Sequence, residues 1–419
     1  MKKTLIAMAM FAASLASAFA AGFQIVEQGA SNIGTALAGA VVNANNDASA
    51  AYWNPSAAIF VQSDNKLDAA CSFIIPTVHF NGSASDAYGN PISGSDGGNA
   101  GDLAVVPNTY YVRKLNEQFA LTFSLTSPFG LATKYDGDFV GRRHGIKSEI
   151  TGIEINPSLV YQVTDWLSVA AGASAQYVNA DITSEVYTPA ATLNARANGH
   201  SWTGSFNVGA TVKFLETGRF GIAYRHRMTQ DIDGTFYLTT PDGATVSTQP
   251  VECELNMPSS LTASVYYRFQ DSFWNQFALM LDYAYTTWNV FEELRLRLPS
   301  SDSVTPEHWR NINRVSFGMH YYPDWCENLV LRAGMAWDQS PVEKPEKRTP
   351  RVPDTNRWWA SFGIGYTYDR FNIDLAYTHI FFDNSEINHS NPYNPGAGSI
   401  SGCYTGCSEI VSVQVGMKW

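Results

Sequence analysis

The chain has 419 residues, of which 45% are hydrophobic, 13% aromatic and only 16% charged, with a formal net charge of -11. That balance argues against nucleic acid as a partner, which needs clustered Lys and Arg, and the apolar content excludes a disordered chain. No stretch beyond the N-terminus approaches the roughly 18 apolar residues of a membrane helix, which leaves a large soluble β protein or a transmembrane β-barrel whose apolar residues are diluted by alternation.

Residues 1–20 read as a signal peptide. Lys2 and Lys3 form the charged region, Thr4 to Ala16 the apolar core, and Ala18-Phe19-Ala20 the small-residue cleavage site. Cleavage removes two of the 27 basic residues and takes the formal charge from -11 to -13. Residues 21–66 do not alternate. Gly29 to Val42 is rich in small residues with helical tendency, a polar break follows at Asn43 to Asp47, and Asn54-Pro55 comes after Trp53. A periplasmic extension and a plug folded inside a barrel both fit. Small residues on short helical segments suit a confined lumen, so residues 21–66 are expected to be a plug and residues 67–419 the barrel.

From residue 67 onward, period-2 alternation recurs. Leu329, Leu331, Ala333, Met335 and Trp337 alternate with Val330, Arg332, Gly334, Ala336 and Asp338, and Val411 to Trp419 repeats the pattern. One face is large and greasy; the other is small or polar, with many Gly and Ser and few Lys or Glu. Fourteen strands are predicted, near 67–80, 104–114, 118–128, 147–163, 166–187, 199–214, 218–236, 252–269, 275–291, 311–323, 327–338, 356–368, 370–383 and 408–419. Tight turns follow the even-numbered strands, such as Thr164-Asp165 and Asp369, and long polar connections such as 292–310 and 384–407 follow the odd ones. Short periplasmic turns, long extracellular loops and an even strand count define outer-membrane barrels. Aromatic residues near strand ends, among them Tyr321-Tyr322, Trp358-Trp359 and Phe381-Phe382, suit interfacial girdles.

The third strand ends at Ser127-Pro128-Phe129-Gly130. Proline cannot donate a ladder bond and glycine marks bends, so this segment either leads into an ordinary loop or opens the wall. Strand parity places Arg225, Arg227, Asp231 and Asp233 opposite Phe220, Ile222, Tyr224 and Met228, and it puts Asp282, Arg314, Arg332, Arg357 and Asp374 inward. A charge facing lipid at the midplane costs about 2–4 kcal/mol. Two roles suit the arginines: meeting a ligand carboxylate, where a charge-assisted bond is strong, or joining an Arg–Asp network that braces barrel and plug. Cys403 and Cys407, in a Gly-rich segment, are expected to form a local disulfide in an oxidising compartment. A metal site lacks a His/Cys cluster at ligand spacing. No G-x-S-x-G, H-E-x-x-H or P-loop is present, and neither enzymatic activity nor a cofactor is expected.

Ala21-Gly22-Phe23-Gln24, Asn54-Pro55-Ser56-Ala57, Val106-Pro107-Asn108, Leu125 to Thr133, Asp338 to Val342, Pro353-Asp354 and Arg357-Trp358 together resemble the FadL-like (OMPP1/FadL/TodX) outer-membrane long-chain fatty acid transporters. Ser56 stands where that family usually has Ala. The resemblance implies an all-β fold, a fourteen-stranded antiparallel transmembrane barrel closed by an N-terminal helical hatch, in the outer membrane of a Gram-negative bacterium. It implies passive uptake of hydrophobic compounds, most of all long-chain fatty acids, with lateral exit at the kinked third strand. An aromatic-hydrocarbon transporter of the same family and a general porin are the alternatives. The expected partners are the hydrophobic ligands, outer-membrane lipid and lipopolysaccharide, and the barrel assembly machinery, which commonly reads a terminal aromatic, usually Phe, so that Trp419 is a mild departure; the expected state is a monomer.

Overall fold

Alternation this regular has one low-energy outcome in hydrocarbon. Backbone groups there have no water to bond, so strands must pair on both edges and the sheet must close. The computed structural model, which describes residues 22–188, 191–271 and 274–419, has that form. The expected leader, residues 1–20, lies outside the described residues. Fourteen antiparallel strands run in sequence order: β1 (Asn65–Ser85), β2 (Ala104–Lys114), β3 (Phe119–Thr126, resuming as Gly130–Lys134), β4 (Lys147–Thr164), β5 (Leu167–Tyr187), β6 (Thr192–Phe214), β7 (Gly218–Arg225 and Met228–Thr239), β8 (Thr245–Met257 and Ser260–Arg268), β9 (Phe277–Thr286, extended by Glu293–Arg297), β10 (Asp302–Pro306 and Ile312–Tyr321), β11 (Leu329–Asp338), β12 (Arg357–Tyr368), β13 (Phe371–Phe382, extended by Ser385–Ser390) and β14 (Ser399–Lys418). The ring closes where β14 pairs with β1, from Lys66 opposite Lys418 to Ser85 opposite Ser399. A span needs only about 9–11 residues. β6 has 23, so its upper part stands beyond the bilayer on the long-loop side.

The two faces sort as the alternation requires. Leu375, Val411 and Val415 are exposed on the outer wall, whereas Ser412, Gln414 and Arg332 are buried inside. Four details differ from the sequence reading. Within 292–310, Glu293–Arg297 and Asp302–Pro306 form a hairpin above the barrel. Trp359 does not join the girdle: only Trp358 points outward, and Trp359 packs against the hatch. β7 breaks at residues 226 and 227, which resets its parity. Met228, Gln230 and Ile232 face inward, so Arg227, Asp231 and Asp233 are exposed on the outside. Finally, Cys403 and Cys407 do not form a disulfide. Both lie on β14, four residues apart in an extended strand that advances about 3.3 Å per residue, far beyond the Cα reach of a disulfide; all five cysteines are free.

Residues 22–64 fill the lumen. The expected helix over 29–42 is only one turn, α1 (Ala30–Ile33), after which Ala36, Leu37 and Gly39 take left-handed backbone angles. A second turn, α2 (Ala50–Trp53), leads into a 3-10 turn over Pro55–Phe60. A helix is dispensable here because the wall supplies the missing partners. Asp282 Oδ1 accepts from the Gly39 amide at 2.6 Å, Asp68 Oδ2 accepts from the Ala48 amide at 2.6 Å, and Arg219 Nη1 donates to the carbonyls of Val42 and Asn43 at 3.3 and 2.8 Å. The apolar side chains of the hatch pack in two patches. Ile25, Ile33 and Leu37 meet Ile74, Trp359 and Ile410, and Tyr52, Ala57 and Val61 meet Tyr110, Val112 and Val160.

The wall approaches the hatch backbone closely at Gly334 on β11, where an added Cβ would stand 2.2 Å from the Thr35 carbonyl. Gly334→Leu should therefore push the hatch aside without touching the strand ladder. The variant barrel should keep its heat-shifted gel mobility, while its single-channel ion conductance rises several-fold over wild type. Wild-type conductance in a folded variant would show that the hatch does not seal the lumen.

Candidate functional site

The wall has a prominent irregularity on β3. The β3–β4 ladder stops at Thr126 opposite Glu154 and resumes at Gly130 opposite Thr151. Three residues, 127–129, thus face two, and the strand bends. Pro128 contributes no donor to this stretch. On the other edge, the β2–β3 ladder runs from Lys114 opposite Ala120 only to Thr109 opposite Leu125. Among the described residues, β2 above Thr109 has no ladder partner on β3, so the backbone ladder is interrupted between the two strands there.

The hatch supplies substitutes for the lost ladder. Its first residues run across the bend as a strap: the Ile25 amide donates to the Pro128 carbonyl at 2.8 Å, and the Gly130 amide donates to the Phe23 carbonyl at 2.9 Å. Gln28 Nε2 donates to the Ser127 carbonyl at 3.1 Å, and the Ser127 amide to Asn108 Oδ1 at 3.4 Å. Gly22 starts the strap at a φ of 69°, with Trp309 and Trp288 2.6 and 2.9 Å from where a Cβ would stand. Only glycine suits both the angle and the space. The Phe23 ring lands edge-on against Trp288 at 4.6 Å, with Phe291 and Trp309 each at 5.6 Å.

Phe23 also forms one end of an apolar cavity inside the upper barrel. Leu131, Ile150, Ile232, Leu255 and Phe291 line it, and Glu307 and Arg351 contribute charged groups. Both come from extracellular connections. Arg351 Nη1 donates to Ser148 Oγ at 3.1 Å and to the Lys147 carbonyl at 3.3 Å; Glu307 Oε2 accepts from Trp309 Nε1 at 3.0 Å. Among the described residues, neither is ion-paired. Burial pushes the Glu307 carboxyl up to about 8, against the opposing pull of its Trp309 bond and of Arg351. Burial lowers the Arg351 guanidinium to about 10, with Glu307 opposing. Burial thus favours the uncharged form of Glu307, and Arg351 has no ion pair among the described residues to offset its charge.

The arginines singled out from sequence fall elsewhere. Arg332 pairs with Asp374 at 2.8 Å and donates to Asn45 of the hatch at 2.9 Å. Arg357 is ion-paired with Asp338 at 3.3 Å and Asp354 at 3.2 Å, and Asp354 accepts from the Gly22 amide. Arg225 pairs with Glu154 at 2.7 Å, donates to the Tyr52 carbonyl at 2.7 Å and stacks on the Tyr52 ring. Arg314 is buried opposite Asp338 on the neighbouring strand. Arg227 is outside the barrel. Arg225, Arg332 and Arg357 form a brace between wall and hatch, and none of the five arginines lines the apolar cavity.

Asn54, Pro55 and Ser56 fix the far end of the hatch. Asn54 Nδ2 donates to the Val41 carbonyl at 2.9 Å and Thr211 Oγ1 at 3.1 Å, while its Oδ1 accepts from Ser56 Oγ at 2.7 Å. Pro55 opens the 3-10 turn, where its missing N–H costs nothing. Ser56 Oγ lies 2.6 Å from Thr211 Oγ1, so the hydroxyl adds a wall contact. Sequence reasoning missed Arg351 and Glu307. The one available signal was Pro350-Arg351-Val352-Pro353, an arginine with apolar flanks in a polar loop.

A family model described as outer membrane protein transport protein (OMPP1/FadL/TodX) matches residues 10–419. The long-chain fatty acid transport protein of Salmonella typhi is 27% identical over 429 aligned residues, covering 94% of this chain and 95% of that protein. Outer membrane protein P1 of Haemophilus influenzae strain KW20 is 28% identical, covering 90% and 89%. Among solved structures, a Pseudomonas aeruginosa FadL homologue superposes with a TM-score of 0.87 at 24% identity, over 95% of this chain and 100% of that one. The Pseudomonas putida toluene transporter TodX superposes with a TM-score of 0.68 at 16% identity, over 89% and 94%.

Proposed function

The chain belongs to the OMPP1/FadL/TodX outer membrane protein transport family and is an outer-membrane transporter of hydrophobic compounds, and from that premise we propose that its ligands are long-chain fatty acids, moved by diffusion without energy coupling. The observation that carries this reading is the buried Arg351 guanidinium, without an ion pair among the described residues, in the lining of a largely apolar cavity. An acyl chain would lie along Ile150, Ile232 and Leu255 with its carboxylate on Arg351, where Ser148 Oγ offers a second donor. The relatives named as long-chain fatty acid transport proteins support it. An aromatic hydrocarbon, the cargo named for the toluene transporters, would suit Phe23 and Phe291 but would leave the arginine unanswered. A general porin has no use for a lumen filled by residues 22–64.

Release follows from the strap. A tail that fills the cavity competes with the Phe23 ring for Trp288 and Phe291. Displacing Phe23 loosens the bonds of residues 23 and 25 to the bend, and the ligand leaves through the gap between β2 and β3 into the membrane. We take Ser127 to Gly130 as this exit and Asn54 to Ser56 as the fixed anchor of the hatch. We further propose that residues 1–20 are removed on export, that residues 21–66 act as one hatch on the 67–419 barrel, and that the protein works as a monomer in contact with lipopolysaccharide after delivery by the barrel assembly machinery.

Oleate uptake by cells that lack their own fatty acid transporter should be restored by this chain. It should be lost when Pro128-Phe129-Gly130 is replaced by regular strand residues, with the barrel still assembled; undiminished uptake would refute the lateral exit. Losing a hydrogen bond to a charged group costs about 1.5–3 kcal/mol, so Arg351→Ala should weaken oleate binding by about 10- to 150-fold and leave toluene binding unchanged. Equal loss for both ligands would show that Arg351 is merely structural. Oleate affinity should also fall as pH rises through about 8, because Glu307 ionises and neutralises the site. Glu307→Gln should abolish that pH dependence, and a variant that keeps it would place the titrating group elsewhere.

A further inference from the structure

On the outer wall, three side chains with metal-ligand chemistry converge across the last two strands. His379 of β13 lies directly opposite Glu409 of β14, and Cys407 is two residues along β14 on the same face. His379 Nδ1 is 2.7 Å from Glu409 Oε1, and the Cys407 Sγ lies within 4.8 Å of the ligand atoms of both. The Tyr377 hydroxyl donates to the other Glu409 oxygen, and the Phe381 ring rests 4.2 Å from the imidazole. All three ligating side chains are part-exposed. Below them Ile373 and Leu375 are exposed to lipid. Tyr377 and Phe381 are of the type that marks the interface, so the cluster stands at the boundary of the outer leaflet.

We propose that His379, Cys407 and Glu409 form a cation site of the zinc class on the outside of the barrel. Imidazole, thiolate and carboxylate are the donors zinc takes, at about 2.0–2.3 Å, and three protein ligands leave a fourth position for water. Tetrahedral bonds of that length set the donors about 3.3–3.7 Å apart. The His379–Glu409 pair must open slightly and the thiol close slightly, both by side-chain rotation on a fixed ladder. Magnesium and calcium prefer all-oxygen shells and are poorly served by this set. The thiol gives its proton to solvent as the metal–sulfur bond forms. An ion here would pin β13 to β14 beside the β14–β1 closure. The cluster is independent of the lumen and of the ligand carried. It was invisible as a spacing motif because 28 positions separate His379 from Cys407.

The test uses the folded protein in detergent micelles, titrated with cobalt(II). Wild type should show a thiolate-to-cobalt absorption band that one equivalent of zinc removes. Cys407→Ser should lack the band although four other cysteines remain, and His379→Ala should bind cobalt at least 10-fold more weakly. Heat-shifted gel mobility reports that each variant is folded. Zinc should raise the thermal midpoint of wild type and not that of Cys407→Ser. The proposal is overturned by absence of the band in wild type, by a band of equal strength in Cys407→Ser, or by displacement of cobalt by equimolar magnesium.

Discussion

A wall immersed in hydrocarbon has no water to complete a broken ladder, and that constraint governs the molecule. It forces β14 onto β1 and leaves the sheet without edges. It also makes the bend at Ser127 to Gly130 costly unless something replaces the lost partners. The replacement is the strap of residues 22–28, whose amides and carbonyls bond the Pro128 and Gly130 backbone as a strand would. The N-terminal segment thus completes the wall as well as filling the lumen.

The same constraint explains the lumen. A hatch with so little regular helix has many unpaired backbone groups, and burying them unbonded would cost several kcal/mol each. Asp282, Asp68 and Arg219 meet these groups from the wall. The wall's own charges are balanced in turn, Arg332 by Asp374 and Arg357 by Asp338 and Asp354. Such pairs hold register and contribute little net stability over apolar packing. Unlike Arg332 and Arg357, Arg351 has no ion pair among the described residues, and burial pushes its neighbouring acid, Glu307, toward the neutral form.

Most of the barrel was legible because one face of each strand must suit lipid. The period-2 signal sets strand existence, facing and loop parity together, and β11 and β14 could be oriented residue by residue. The failures share a cause: parity is local and resets at every irregularity. The break at residues 226 and 227 turned Arg227, Asp231 and Asp233 outward. The length of β14 carried Cys403 and Cys407 from an expected loop into a strand. The hatch was readable as a plug but not as a path, since its left-handed turns at Ala36 and Leu37 are imposed by wall contacts distant in sequence. Arg351 sits in a loop without periodicity, and the cavity that gives it meaning is assembled from seven strands and two connections.

The energies of strap and ligand are well matched for the release mechanism proposed above. Two backbone bonds contribute about 0.5–1.5 kcal/mol each, and burying the Phe23 side chain about 1.5–3 kcal/mol more. The strap is therefore held to the bend by a few kcal/mol. Each methylene of an acyl chain gains about 0.8 kcal/mol on burial, so a handful of methylenes in the Phe23 cavity offsets the strap. On the proposed mechanism, short or polar solutes would fall below that threshold and leave the wall closed. On that mechanism, selection for long apolar chains would require no external energy source, because the binding that fills the cavity would also free the exit.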